Sequence, residues 1–339
     1  MSIPQPDHDA AALFCVDQAV FHAVRRLSGG QTSILIAVSG GADSIALMHS
    51  LARIGPRLGL RLEVASLDHG LRPESGAEVQ AVVERAQRLG LPAHARSLGL
   101  TDGPALEQRA RDARYAQLEA VRLERGLELI ATAHTASDQA ETVLMRLARG
   151  AALGGAAAIA ARMGALIRPL LGRTRAEVRA YLAALGEPFV EDPMNADPRF
   201  LRVRVRRELL PLYEQTCGPR VEQHLARFAQ YAAEDEALLE HSATAALERV
   251  SQAATLDALA VDALERPIRR RVIAQWLSGN KLQVDAPLLE DILEAISQGR
   301  PATLPKDLVL VNRDGWLAAE PAPSRNFTQA TGTRVPDAL

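Results

Sequence analysis

Four times in succession between Ser33 and Arg149, a short apolar run gives way to a helix-length stretch, and this alternation constrains the fold more than any other property of the chain. The runs are 33–38 (SILIAV), 62–67, 93–98 and 128–133. The stretches 42–53, 74–89, 105–125 and 137–149 read as helices. Short, nearly continuous apolar strands suit a sheet buried on both faces. Strands alternating with helices imply right-handed crossovers, and so a parallel sheet with helices on both sides. The expected fold class is α/β, with a Rossmann-like parallel sheet. Ligands of such sheets bind beyond the carboxyl ends of the strands, so the chemistry is sought just after each run.

From Thr174 onward the pattern becomes mainly helical. Thr174 with Glu177 three residues later forms a capping-box pattern. A Pro/Asp/Asn-rich loop spans 188–198, and a helix is expected over 200–210, stopped by Pro211. Cys217-Gly218-Pro219 is the strongest break, followed by a long helix to about Val250 and shorter ones near 266–278 and 287–298. A closing hairpin is expected from Ala302 to Leu317, turning at Asp314-Gly315. The expected organisation is thus a catalytic domain over 1–217, a smaller helical domain over 218–320, and a mobile tail over 321–339. A chain of 339 residues, 47% hydrophobic and 24% charged, can bury two such cores. Cys15 and Cys217 are far apart and form no CxxC, which argues against a disulfide framework or zinc ribbon. With no signal-peptide pattern at the N-terminus and no long apolar segment, a cytoplasmic location is expected.

The first run ends in Ser39-Gly40-Gly41-Ala42-Asp43-Ser44 and then a helix. Two glycines at this junction let backbone N–H groups line a concavity at a helix N-terminus, and the serines add hydroxyls: an anion cradle. It is not a Walker A loop, since no Gly-Lys-Ser/Thr follows. The second run ends in Leu67-Asp68-His69-Gly70-Leu71-Arg72, a polar cluster that the topology sets beside the first. The fourth is followed by His134, Asp138 and Glu141, spaced to share the first turns of a helix. With Asp43, the two carboxylates could hold Mg²⁺ through oxygen ligands, although acids at a helix start also serve the dipole alone. The charge balance, 39 basic against 41 acidic, gives no global argument for nucleic acid. The basic residues do concentrate locally: Arg199, Arg202, Arg204, Arg206 and Arg207 form the densest cluster. Only Lys281 and Lys306 are lysines, so Arg must supply any phosphate clamp.

The SGGxDS loop is similar to that of the PP-loop ATP pyrophosphatases, which split ATP between its α and β phosphates. Taken with LDHGLR, Ala110-Arg111-Asp112-Ala113-Arg114-Tyr115, HTASDQAET, Arg149-Gly150, Arg168-Pro169-Leu170-Leu171, EDPMNAD at 191–197 and RVRVRRELLP at 202–211, it resembles the bacterial tRNA(Ile)-lysidine synthetases from about Ser33 to Pro211. The resemblance implies an adenine nucleotide α-hydrolase-like catalytic domain. It also implies ATP and Mg²⁺, free L-lysine, and the isoleucine tRNA with a CAU anticodon as substrate; members are often dimeric, so a homodimer is implied as well. The implied reaction adenylates O2 of the wobble cytosine with release of pyrophosphate, then displaces AMP with the lysine ε-amine. On this resemblance Ser39, Gly40, Gly41, Ala42, Asp43, Ser44, Asp68, His69 and Arg72 would hold ATP. Asp43, His134, Asp138 and Glu141 would carry catalysis, with Asp43, Asp138 and Glu141 on the metal. Arg111, Arg114, Arg202, Arg204, Arg206 and Arg207 would contact tRNA. Val203 departs from the family pattern, which usually has Asn there. Longer members carry a further C-terminal module, for which the residues after Ala319 leave no room, so the short form is expected. The rival reading is a tRNA thiolase of the same superfamily; the cytidine thiolases need a cysteine pair, and none is present.

Overall fold

The run SILIAV forms the central strand of a sheet in which Ile34 and Ile36 face one helical layer and Leu35 the other, all fully buried. That two-faced burial is the physical reason the run is apolar throughout. The computed structural model describes residues 8–70, 74–100, 103, 106–189 and 200–322. Elements run in the order α1 (His8–Ser28), β1 (Ser33–Ala37), α2 (Ala42–Leu58), β2 (Arg61–Asp68), α3 (Ser75–Arg88), β3 (Ala93–Ser97), α4 (Leu106–Glu124), β4 (Leu129–Ala131), α5 (Ala136–Leu147), α6 (Leu153–Ala156), β5 (Arg162–Met163), β6 (Leu166–Ile167) and α7 (Arg175–Leu185). The sheet order is β3-β2-β1-β4-β6-β5, parallel throughout except for the antiparallel edge pair β5–β6. Residues of α1, α2, α3 and α7 fill one face and residues of α4 the other. The α/β expectation holds, with each expected strand and helix in place.

Up to α7, three features have no counterpart in the sequence reading: α1, the one-turn α6 and the β5–β6 hairpin. The α1 helix forms because Val16, Val20, Val24 and Leu27 recur at helical spacing and bury against the same face as α2 and α7. The β5–β6 hairpin has strands of two residues, too short for any periodic signal. The α2 helix also runs past its expected end at Arg53, through Pro56, to an αL cap at Gly59.

Beyond the described gap at 190–199 come α8 (Leu201–Arg204), a π turn at Val205–Leu209, α9 (Leu210–Cys217) and α10 (Val221–Val250). Pro211 does not stop the helix. It sits in the first turn of α9, where its missing N–H has no partner to lose, and the π turn before it absorbs the change of phase.

The chain divides into two compact units, Met1–Ala233 and Glu234–Leu339. The division lies within α10, later than the Cys217-Gly218-Pro219 break. The start of α10 explains this: Val221 and Leu225 pack with Ala140, Val205 and Leu210 of the first unit.

The second unit adds β7 (Ser251–Gln252), β8 (Thr255–Asp257), α11 (Ala258–Asp262), α12 (Arg266–Gly279), α13 (Ala286–Ser297), β9 (Ala302–Leu304), β10 (Leu308–Arg313) and β11 (Trp316–Pro321). The expected hairpin is β10–β11, with Asp314 (φ 51°) and Gly315 (φ 90°) both left-handed as a type I′ turn demands. It belongs to a larger antiparallel sheet, β7-β8-β11-β10-β9, packed around Ile273, Trp276, Leu277 and Ile292. No described helix is long and apolar enough to cross a membrane. The expected tail at 321–339 lies almost wholly outside the described residues.

Candidate active site at the carboxyl ends of the strands

The loop after β1 is built so that its N–H groups stay available. Gly40 takes φ +85°, a conformation that glycine adopts without penalty. Gly41 is the N-cap residue of α2, and no side chain caps that helix. The nearest hydroxyl is committed elsewhere: Ser44 Oγ donates to Gly41 O (2.9 Å) and accepts from Ser39 N (3.1 Å). The first turn of α2 is therefore left to an anion, as the dipole favours.

Asp43, in that first turn, has a buried Oδ1 with no hydrogen-bond partner. Burial raises its pKa from 3.8 to about 6, with Arg175 nearby opposing the shift. Arg175 of α7 lies 3.7 Å from Asp43 and bridges it to two further carboxylates, Asp138 Oδ1 at 3.0 Å and Glu141 Oε1 at 3.3 Å.

Both those acids stand on α5, and both are buried. Asp138 Oδ2 closes the capping box, accepting from Thr135 N (2.9 Å) and Thr135 Oγ1 (3.0 Å). Its Oδ1 accepts from Arg175 and, at 2.9 Å, from Arg202. Burial would raise the Asp138 pKa, but Arg175 and Arg202 outweigh it and hold the carboxyl below its usual value. Glu141 is fully buried and accepts from Arg202 Nε (2.7 Å) and Arg206 Nε (2.6 Å) as well as Arg175. Arg202 and Arg206 are four residues apart, straddling the start of the π turn, and so reach the same carboxylate.

His134 follows β4, and burial lowers its pKa to about 4, with Arg168, Arg202 and Arg111 adding to the effect against Asp138. The ring is neutral near pH 7. Its Nδ1 meets Thr132 Oγ1 at 3.2 Å, which leaves Nε2 for a ligand. Ser137 joins three helices here: its Oγ donates to Glu222 Oε2 of α10 (2.6 Å) and accepts from Arg175 N (3.0 Å).

The structure thus brings Asp43, Asp138, Glu141, Arg202 and Arg206 into one network, with His134 beside Asp138. The two acids of α5 spend their oxygens on guanidinium groups and a helix cap. Among the described residues no group of three or more His, Cys, Asp or Glu side chains is arranged to hold a metal ion. Asp43 alone keeps an uncommitted carboxylate oxygen. Asp68 also has local partners, accepting from Gly70 N (2.8 Å) and Ser75 Oγ (2.5 Å) and tying the end of β2 to α3. The Ser75 bond, then the Gly70 N–H, hold its pKa below the usual value. His69 lies next to it, half-buried, while Arg72 and the 191–197 stretch lie outside the described residues. Arg111 stacks over Tyr115 at 5.1 Å, and Arg114 is exposed on the same helix. Arg204 is exposed and pairs with Glu208 at 3.4 Å, and Arg207 is exposed too. Val203 is buried.

Sequence reasoning missed Arg175, which sits one residue after the Thr174 cap and reads there as an ordinary first-turn residue. It gave Arg168 no role. That side chain is buried just beyond β6, donates to Ala160 O, and leaves Nε without a partner.

A family model described as the PP-loop domain matches residues 17–213. The tRNA(Ile)-lysidine synthase of Thermus thermophilus is 41% identical over 291 residues, covering 84% of this chain but 56% of that protein; the chain spans little more than half of that relative's length. Proteins of the same name from Methylobacterium sp. strain 4-46 (38% over 337 residues, 91% of this chain and 96% of that one) and Salinispora tropica (40% over 324 residues, 91% and 97%) match almost end to end. Among solved structures, the U34-tRNA thiolase NcsA from Methanococcus maripaludis superposes with a TM-score of 0.53 at 17% identity, over 65% of this chain and 80% of that one, a likeness of fold alone.

Proposed function

Since the chain belongs to the PP-loop family of tRNA(Ile)-lysidine synthases, we propose that it ligates L-lysine to carbon 2 of the wobble cytidine of a CAU-anticodon isoleucine tRNA at the expense of ATP. The observation that carries this reading is the match, over nine-tenths of both chains, to relatives bearing that name. In the first step the cytosine O2 attacks the α-phosphorus and the bond to pyrophosphate breaks. In the second, the lysine ε-nitrogen attacks carbon 2, the C2–O2 bond breaks, and AMP leaves with that oxygen. The product is lysidine, which reads AUA in place of AUG.

The parts suit the steps. The uncapped N–H groups of Gly40, Gly41 and Ala42, with the Ser39 hydroxyl, receive the departing pyrophosphate as a preorganised electrostatic cradle, whose shape Ser44 Oγ holds through Ser39 N and Gly41 O. Mg²⁺ fits at Asp43, whose orphaned Oδ1 would hold it alongside phosphate oxygens, and it would neutralise charge on the leaving group. Asp138 and Glu141 act by holding Arg175, Arg202 and Arg206 over the loop, where the guanidinium groups meet phosphate. Neutral His134 offers Nε2 as a hydrogen-bond acceptor that orients the lysine ε-nitrogen; with its basicity lowered by burial it is no store for the proton, which leaves to solvent before attack. Asp68 and His69 line the nucleotide side, and Arg111, Arg114, Arg204 and Arg207 face the RNA backbone. Sulfur transfer fits less well: the sequence has two cysteines, and both are free and exposed.

The test follows pyrophosphate, AMP and labelled lysine in one assay with a CAU-anticodon isoleucine tRNA transcript. The expected result is tRNA-dependent pyrophosphate release and lysine incorporated into the wobble nucleoside. Pyrophosphate release without lysine incorporation, or incorporation of sulfur from a sulfide donor, overturns the reading.

A further inference from the structure

Arg220, in the turn just before α10, and His224, Arg227 and Tyr231 within it recur at spacings of four, three and four, and His224 N donates to Arg220 O (2.9 Å), so they share one line at the start of the helix, with Phe228 beside it. All five are exposed, Phe228 at 45% and Tyr231 at 57%. Val221, Ala229 and Ala232, on another side of the same helix, are buried. Exposed aromatic rings are scarce: among the described residues only Phe14, Tyr213, Phe228 and Tyr231 are large exposed aromatics. Neither Arg220 nor Arg227 has a side-chain partner among the described residues, whereas most arginines around the loop are ion-paired. The acid of this turn, Glu222, is turned aside and bound to Ser137. The line ends where Glu234 and Asp235 bring in negative charge.

Two unpaired guanidinium groups interleaved with two exposed rings suit a polyanion with unstacked bases, since cations serve phosphates and rings serve base faces. The position agrees. The Ser137–Glu222 bond ties the first turn of α10 to the first turn of α5, next to Asp138. At 1.5 Å per residue, Tyr231 lies about 13 Å farther along the axis, within reach of nucleotides adjoining a base held at the site.

We infer that the Arg220–Tyr231 line is a stacking platform for the unpaired anticodon-loop bases that flank the reacting cytidine, with Arg220 and Arg227 on their phosphates. This rests on the proposed activity only for the identity of the RNA. The experiment compares the full chain with the double variants F228A/Y231A and R220Q/R227Q, all at exposed positions. It measures kcat and KM for lysidine formation, and the fluorescence of 2-aminopurine placed beside the wobble position. F228A/Y231A should raise the KM for tRNA by roughly 10- to 100-fold, leave kcat at saturating tRNA unchanged, and abolish the quench seen on binding. R220Q/R227Q should weaken binding and lower the slope of log affinity against log salt by about 1.4. Unchanged KM and quench in both variants, or a fall in kcat alone, overturns the platform. A changed sedimentation of the free protein with tRNA affinity intact overturns it too, and assigns the face to a second copy of the chain. If the wild type binds and quenches the transcript without forming lysidine, the proposed activity fails while the quench still decides the platform. If it does not bind the transcript, both fail.

Discussion

Two buried glutamates in this molecule each meet three basic side chains, and only one of them sits at a site. Glu63, within β2, accepts from Arg61 on its own strand (2.6 Å), His94 on the neighbouring strand (2.7 Å) and Arg125 just after α4 (3.0 Å). Glu141 accepts from Arg175, Arg202 and Arg206. The charge arithmetic is alike, but the surroundings differ. Glu63 lies near the start of its strand, paired in register with Leu35, and its oxygens are fully used. The Glu141 network lies past the strand ends and extends through Arg175 to Asp43, which keeps a buried oxygen without a partner. A saturated ion cluster is architecture, whereas a cluster with one group left unsatisfied beside an open helix N-terminus is poised for a ligand.

The sharpest way to break this contrast is at Asp43. Asp43→Asn should lower tRNA-dependent pyrophosphate release by about 10²–10³-fold while raising Tm. The sign follows from its raised pKa: the stabilising contribution of the protonated form is complete below pH 3.8 and is lost as pH rises through about 6. Activity in turn should fall as the pH drops through about 6, a limb missing from the Asp43→Asn profile. A variant that keeps wild-type turnover would remove Asp43 from the site.

Next in size are the two glutamates. Glu63→Ala and Glu141→Ala each remove a buried carboxylate from cations that water partly reaches, and denaturant titration should show each losing about 1–3 kcal/mol. Glu63→Ala that still folds should keep wild-type kcat, and Glu141→Ala should not. A Glu63→Ala variant that folds with normal stability yet loses turnover would erase the distinction.

Acid separates them further. Although burial works to raise it, hydrogen bonds from Arg61, His94 and Arg125 pull the Glu63 pKa from 4.5 down to about 2. Its stabilising contribution is complete above pH 4.5 and is lost as pH falls through about 2, so Glu63→Gln should flatten the acid limb of the stability curve. The smallest effect is expected at Arg204, whose pair with Glu208 is exposed. Arg204→Ala should change stability by no more than about 0.5 kcal/mol and lower the salt dependence of tRNA binding by roughly one unit of slope.

The catalytic sheet was legible because its strands are buried on both faces, so their side chains had to be apolar in unbroken runs. The Gly40-Gly41 loop was legible because two glycines stand between a strand and a helix, and at Gly40 the left-handed backbone requires one. The partners of the carboxylates were not. Arg175, Arg202 and Arg206 join Glu141 across 34, 61 and 65 residues of sequence, and nothing local marks an arginine as the far end of such a pair. A run of arginines at 202–207 reads as a surface for RNA. In the fold, alternate members turn inward to acids and outward to solvent.

The π turn at Val205–Leu209 has a further consequence, for insertions and deletions. A wide turn holds one residue more than an α-helical turn and closes onto the α geometry when that residue is removed. Deleting any one residue of the five would leave a continuous helix with good backbone hydrogen bonds. Because the wide turn takes its extra residue into a single turn, the helix after it would keep nearly its present angle, with Leu210 still facing Ala140, against which it packs. Substitutions across 205–209 that keep Val205 and Arg206 would be absorbed, and so would a frame-preserving loss of one codon from 207–209. The wide turn thus tolerates a change of length beside the site while Arg202 and Arg206 stay on one carboxylate and Leu210 and Val221 stay packed on α5.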